Sequence, residues 1–515
     1  MEKKRLLINL LSNMISFILQ MGISFILTPI IVEKVGDAAY GFIGLANNFV
    51  NYASIFSIII NSMASRFITL ELGKGNIDTA NKYYSSVFIL DIVISFITAM
   101  ISIFIVFNLN EILNIPMNLD SDVKVTFTLV FANFILSLIT TVFSISTFAK
   151  NRLDIEAVKN IVGNVLRTIC LVILFTFFLP KIYYISIAGL IYSIYSLLAN
   201  IKITKKIAPE LEVRKVYFDK QSVRQLIGSG IWNALNSLGK ILLTGLDLLI
   251  ANIFIGANEM GILAIAKTVP NAIESLLATI GSTFTPQFIM LYSKNRIKDL
   301  INSVNFSIKI LGLIMIVPIA GFIVFGKEFF SLWLPLKAEY EIQQIQLLSI
   351  LSLLPYVISA NNFTLSALDT TTNKLKKPVI VTISMSLLSA VVTIVLLKTT
   401  GLGIYAIAGV SSVFWCLKVF FFNTINAARN LDVKWNVFYK QYIKNIIYFI
   451  IILIVLIILK HCMFINSWKT FLFAVTISGA LGYIMVFCLL LKKEEKKYIY
   501  SLVKEKCNET NFKKN

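Results

Sequence analysis

Apolar residues run through this chain in stretches of about 20 or more, separated by short polar connectors. A helix needs about 20 such residues to cross a bilayer core about 30 Å thick. The pattern predicts helices over 6–32, 40–65, 84–107, 125–149, 160–179, 183–201, 226–255, 259–290, 304–325, 342–367, 378–397, 402–424, 443–460 and 471–491. The expected fold is an all-α integral membrane protein with 14 transmembrane helices. The runs do not alternate polar and apolar, as strands of a membrane barrel do. No connector approaches the roughly 50 residues of an independent domain. Lys3, Lys4 and Arg5 precede the first run, which is longer than a signal-peptide core and lacks a small-residue cleavage site, so it is expected to be retained.

Composition agrees. The 515 residues are 57% hydrophobic and 14% charged, against about 25% charged in soluble domains. The net charge of +20 would suggest nucleic acid in a soluble protein. Here it tests topology, because Lys and Arg collect in cytoplasmic loops. The N-terminal tail, every second loop and the C-terminal tail hold 34 of them, against 8 on the other side. Both termini are therefore expected in the cytoplasm. The basic face implies membrane lipids as partners and no nucleic acid.

Catalytic and metal chemistry finds little support. The five cysteines show no paired spacing, and His461 is the single histidine, so no zinc site, His triad or cofactor is expected. Leu72-Gly73-Lys74-Gly75 and Leu238-Gly239-Lys240 lack the spacing of a phosphate-binding loop. An ATP-driven pump within this chain is not expected.

The chain repeats itself at an offset of 220 residues. Asn13 meets Asn233, Gly36 meets Gly256, Gly41 meets Gly261, Asn51 meets Asn271 and Lys74 meets Lys294. Six helices per repeat is an even number, so both repeats share one orientation. They are then two six-helix bundles related by a pseudo-twofold along the membrane normal, with two C-terminal helices added. The expected organisation is 1–203, a cytoplasmic linker at 204–225, 226–428, and 429–515 with helices thirteen and fourteen and a basic tail.

Polar stripes mark the surfaces that avoid lipid. Asn233, Asn236, Ser237, Lys240, Thr244 and Asp247 follow one another at helical spacing. Asn13, Ser16, Gln20 and Ser24 mirror them. Asn47, Asn51, Ser54, Asn61 and Ser65 form a third stripe, and Lys267, Asn271, Glu274 and Ser282 a fourth. These are expected to line a cavity.

Each charge near a span centre costs about 2.5–3.5 kcal/mol on the insertion scale. This chain keeps Asp91, Arg167, Lys240, Asp247, Lys267, Glu274 and Lys418. Counted from a hairpin about Ala257, Asp247 lies level with Lys267, and Lys240 with Glu274. Two readings stand: fixed salt bridges, or a network that a proton or an incoming anion can switch. Arg167 follows Asn160 and Asn164 on the fifth helix. It suits a phosphate, which guanidinium binds bidentately, or else pairs with Asp91. Lys418 lacks polar neighbours at helical spacing.

The twofold six-helix repeat, Gly36-Asp37-Ala38-Ala39-Tyr40-Gly41 and Gly256-Ala257-Asn258-Glu259-Met260-Gly261 carry a resemblance. Ser229-Gly230-Ile231-Trp232 and Phe330-Ser331-Leu332-Trp333-Leu334 extend it. The chain resembles the multidrug/oligosaccharidyl-lipid/polysaccharide (MOP) exporter superfamily over roughly 5–430, and within it the Wzx-type polysaccharide flippases. The resemblance implies a non-enzymatic carrier in a bacterial cytoplasmic (inner) membrane. Its implied cargo is an undecaprenyl-diphosphate-linked oligosaccharide for surface polysaccharide, moved by alternating access. Other polysaccharide assembly proteins are implied partners. Such families favour a cationic lumen, which Arg167, Lys240 and Lys267 match in kind. With Asn271, Asn51, Gln20 and Asn236 they form the expected substrate lining. Asp247, Glu274 and Asp91 form the expected coupling or charge network. Two alternatives stay open: a multidrug cation antiporter of the same superfamily, which the basic residues argue against and the acidic residues leave open, and a membrane-embedded polymerase or glycosyltransferase, disfavoured by the short external loops.

Overall fold

The computed structural model describes residues 21–150, 152–359 and 362–490. Gln20, most of the first predicted helix and the basic C-terminal tail lie outside the described residues. Every regular element within them is helical. Ten helices are long and apolar enough to span a bilayer, and three bent pairs raise the number to as many as thirteen among the described residues.

The helices are α1 (21–35), α2 (Asp37–Gly73), α3 (Ile77–Phe107), α4 (Asp120–Ala149), α5 (Leu153–Phe177), α6 (Tyr184–Ile207), α7 (Lys220–Thr244), α8 (Asp247–Phe254) and α9 (Ala257–Ala266). They continue with α10 (Thr268–Ser282), α11 (Thr285–Ser293), α12 (Ile297–Trp333), α13 (Glu339–Ser359), α14 (Asn362–Thr371), α15 (Lys376–Thr399), α16 (Ile404–Leu417), α17 (Thr424–Asn430), α18 (Tyr439–His461) and α19 (Trp468–Leu490). Three predicted helices differ from this. The 226–255 run is broken between α7 and α8, the 259–290 run forms α9, α10 and α11, and the 342–367 run divides into α13 and α14. Helices α2 and α12, at 37 residues each, extend about 55 Å at 1.5 Å per residue. Both project well beyond a bilayer core.

The chain forms two compact units. The first takes the chain through Ile265 together with Val379–Ile407. At one end its core joins Ile60, Ala64 and Ile68 of α2, Tyr84 and Val87 of α3, Val142 of α4 and Leu226 of α7. Helix α7 belongs here because it crosses α2 closely: a Cβ on Gly230 would lie 1.9 Å from the Ile59 carbonyl oxygen. Helix α15 packs on α7 in turn, with the Ser386 hydroxyl donating to the Gly239 carbonyl at 2.7 Å. The 204–225 segment is strapped along α3. Asn81 Nδ2 donates to the Glu210 carbonyl at 3.0 Å and Asn81 Oδ1 accepts from the Glu212 N–H at 2.9 Å. Ser85 and Ser86 accept from the N–H groups of Arg214 and Asp219.

The second unit takes Ala266–Pro378 and the chain from Ala408. Its axis is α12, against which α18 and α19 pack. A Cβ on Gly482 of α19 would lie 2.9 Å from Val317, and one on Gly312 would lie 2.5 Å from the Asn445 amide of α18. The Lys460 ammonium pairs with Glu328 at 2.7 Å. At one end Phe329 and Trp333 of α12 stack, with Trp468 and Phe471 of α19 around them, as amphipathic rings do at membrane interfaces. His461 sits exposed in the last turn of α18, its Nδ1 at 2.9 Å from the Ile457 carbonyl, a helix-end residue.

In both units the outward faces are apolar. On α3, Phe96, Met100 and Phe104 are exposed, while Asp91, Ser95, Thr98 and Ser102 are buried. That inversion is the arrangement lipid requires, since hydrocarbon offers polar groups no partner.

Candidate functional site

Arg167 stands on the face of α5 that meets α6. The two helices approach at Gly163, where a Cβ would lie 2.7 Å from the Tyr192 ring. The missing side chain lets Tyr192 lie flat and donate its hydroxyl to Asn160 Oδ1 at 3.1 Å. Tyr192 also interacts electrostatically with Arg167. No carboxylate pairs with Arg167 among the described residues, and its buried Nε has no hydrogen-bond partner. The stripe Asn160, Asn164, Arg167 is thus a guanidinium flanked by an amide and a phenol, with donors to spare.

Asp91 does not take that role of partner. Its Oδ1 accepts from Asn61 Nδ2 of α2 at 2.8 Å, so a residue of the α2 stripe holds it. Asn51, ten residues earlier on α2, is exposed.

The polar stripe of 233–247 straddles a helix break. Helices α7 and α8 meet at 40°. The cause lies in Gly245, whose carbonyl accepts from Asn48 Nδ2 at 3.0 Å and from the Tyr52 hydroxyl at 2.7 Å. Two side chains of α2 take the acceptor that a continuing helix would use. Asp247 therefore falls in the first turn of α8, buried, where a carboxylate suits the positive end of the helix dipole. Asn236 and Lys240 lie about two turns and one turn before the break, both exposed. Lys267 occupies the break between α9 and α10. Both breaks fall about ten residues along the chain from Ala257. Asn271 is exposed on α10, and Glu274 accepts from the Tyr356 hydroxyl of α13 at 2.8 Å.

Sequence reasoning misses one cluster. Asp369, on α14, accepts from Asn426 Nδ2 at 2.8 Å and Asn430 Nδ2 at 2.7 Å on α17. Lys418 acts on it electrostatically, so Lys418 does have a polar setting, supplied by a neighbouring span. Its ammonium also lies 5.2 Å from the Trp415 ring centroid. The backbone there, Lys418–Asn423, is π-helical, a widening frequent at functional sites. The legible signal was the spacing Asn423, Asn426, Asn430, one polar face in steps of three and four.

Asp120-Ser121-Asp122 has the D-x-D spacing of metal-dependent glycosyltransferases. Its two carboxylates go separate ways: Asp120 pairs with Lys124 at 3.0 Å and Asp122 with Lys181 at 3.1 Å. Among the described residues no three His, Cys, Asp or Glu side chains are grouped to hold a metal.

This all-helical, multi-pass architecture with buried charges in its spans has the fold of MOP-superfamily transporters. It matches an inward-facing multidrug resistance MATE family transporter with a TM-score of 0.63 at 13% identity, over 81% of this chain and 95% of that one. It matches the lipid II flippase MurJ in an inward closed conformation with a TM-score of 0.64 at 14% identity, over 92% and 97%. The chain belongs to the polysaccharide biosynthesis protein family, whose pattern matches residues 6–292. A full-length relative is the uncharacterized membrane protein EpsK of Bacillus subtilis (strain 168), 27% identical over 493 residues, 96% of this chain and 97% of that one.

Proposed function

We propose that this protein is a flippase that carries diphosphate-linked oligosaccharide lipids across a bacterial cytoplasmic membrane for surface polysaccharide synthesis. The observation that carries the reading is Arg167, a guanidinium within a span, without a carboxylate partner among the described residues and with an unsatisfied buried Nε. Guanidinium matches a phosphate bidentately. Family membership supplies the polysaccharide context, and the likeness to MOP transporters supplies the carrier fold.

In this mechanism Arg167 and Lys240 hold the diphosphate, with Lys267 adding positive charge. Asn51, Asn236, Asn271 and Gln20 offer amides to sugar hydroxyls, and the prenyl tail stays in lipid. Asp247 and Glu274 form the charge network that answers arrival and release, and Asp91 is a coupling residue. The polar lining opens to each membrane face in turn. No bond is made or broken, so the protein is a carrier, with both termini in the cytoplasm and the glycan-assembly proteins as neighbours.

The test is complementation of a flippase-deletion strain. A charge-assisted hydrogen bond contributes about 1.5–3 kcal/mol, and about 1.4 kcal/mol is tenfold in binding. Arg167→Ala should therefore lower export by roughly 10- to 100-fold at wild-type membrane levels. Undiminished export by that variant would remove the diphosphate role.

A further inference from the structure

The buried face of α3 is polar along its whole membrane portion. Asp91, Ser95, Thr98 and Ser102 follow at steps of four, three and four, each less than a tenth exposed. They therefore share one side of the helix. Asp91 itself is 0% exposed.

The hydrogen bonding at Asp91 is half complete. Asn61 Nδ2 donates to Asp91 Oδ1 at 2.8 Å. Asp91 Oδ2 and Asn61 Oδ1, the remaining oxygen of each partner, are buried without a hydrogen-bond partner, as is Ser95 Oγ. Two acceptors in one amide–carboxyl pair cannot satisfy each other. An unmade bond at a buried polar atom is expensive, and more so for a charged group.

Nor does a cation offset the charge. The elements packed against α3 carry Arg66 on α2, Lys124 on α4, Lys215 on the turn Lys215–Tyr217, and Lys220, Arg224 and Lys240 on α7. None of these, and no carboxylate or phenol of the same elements, acts on Asp91; among the described residues its side-chain partner is Asn61.

We infer that Asp91 and Asn61 form a proton-binding site. A proton on Asp91 Oδ2 turns that oxygen into a donor toward Asn61 Oδ1. The acid and amide then close a two-bond ring, and both orphan oxygens are satisfied at once. A metal cation is a poorer occupant, because the orphan oxygens number three while hard cations take about six or more. Release of the proton requires water at Oδ2. The hydroxyls of Ser95, Thr98 and Ser102 mark the polar route from Asp91 along α3. The site does not depend on which molecule the protein carries.

Infrared difference spectroscopy of the purified full-length protein in lipid nanodiscs tests this. The wild-type minus Asp91→Asn spectrum at pH 7 should contain the carbonyl stretch of a protonated carboxylic acid, and that band should bleach on raising the pH. Asn61→Leu should shift the band to higher frequency, because the acid loses its amide partner. If Asp91→Asn does not fold, the Asn61→Leu shift against wild type decides alone. An ionised carboxylate band in place of the acid band would overturn the proposal. So would thermal stabilisation by sodium chloride over choline chloride that Asp91→Asn abolishes, which would make this a sodium site. Failure here leaves the Arg167 reading standing, and failure of Arg167→Ala leaves this one.

Discussion

Gly41 and Gly261, equivalent positions 220 residues apart, lie against each other. A Cβ on Gly41 would lie 2.9 Å from the Gly261 Cα, and one on Gly261 would lie 2.2 Å from the Asp37 carbonyl oxygen. The next equivalent pair, Gly44 and Ala264, also meets, at 3.8 Å from a Cβ built on Gly44. Both pairs keep the 220-residue offset of the expected repeat.

That contact cannot accept a methyl group. The obstacle at Gly261 is backbone, which does not rotate aside, and overpacking costs about 1–3 kcal/mol. Gly261→Ala should lower the unfolding temperature in detergent. Gly409→Ala, where a Cβ meets nothing within 4 Å, should leave it unchanged or raise it. Equal effects would mean the crossing is not tight.

Asn114 and Asn252 clasp each other's backbone. Asn252 Oδ1 accepts from the Asn114 N–H at 2.9 Å, and Asn252 Nδ2 donates to the Asn114 carbonyl at 3.2 Å. Asn114 Nδ2 returns a bond to the Asn252 carbonyl at 2.9 Å. Asn252→Ala removes both side-chain bonds to the backbone of Asn114, at about 0.5–1.5 kcal/mol each. Amide exchange in 108–119 should rise by about ten- to a hundredfold. Unchanged exchange would show that the clasp does not hold that loop.

Asp219 caps α7, its Oδ2 accepting from the N–H and hydroxyl of Ser222, both at 2.7 Å. These bonds hold its carboxyl below the usual range, the hydroxyl first and the N–H second. A depressed folded-state value means the cap's contribution is present above the unfolded value, about 3.9, and is lost as pH falls through the folded one. Asp219→Ala should cost about 1 kcal/mol at pH 7, and Asp219→Asn less, since the amide oxygen still caps. The difference between wild type and Asp219→Ala should shrink toward pH 3. A constant difference from pH 7 to pH 3 would contradict the cap.

The spans were legible because lipid imposes one requirement on every outward face, so Phe96 and Phe104 declare their setting without knowing their neighbours. The break at Gly245 was not, because its cause is tertiary: Asn48 and Tyr52 arrive from another span to take its carbonyl. Arg167 stood out as a charge in an apolar run. Its lack of an acid among the described residues depended on where Asn61 lay, since Asn61 and not Arg167 engages Asp91. Asp369 escaped notice because it lies two residues beyond a predicted span. Its meaning came from Asn426 and Asn430, whose approach no spacing within α14 reveals.

The central claim is that a diphosphate-linked oligosaccharide lipid crosses through this protein and that Arg167 holds its headgroup. The direct measurement is transfer of such a lipid, fluorescently tagged, between the leaflets of vesicles containing the purified full-length protein. Wild type should make the tagged lipid accessible from the opposite face, and Arg167→Ala should slow this by at least about tenfold with equal protein incorporated. Equal rates for wild type and Arg167→Ala, or transfer no faster than in protein-free vesicles, would contradict the account.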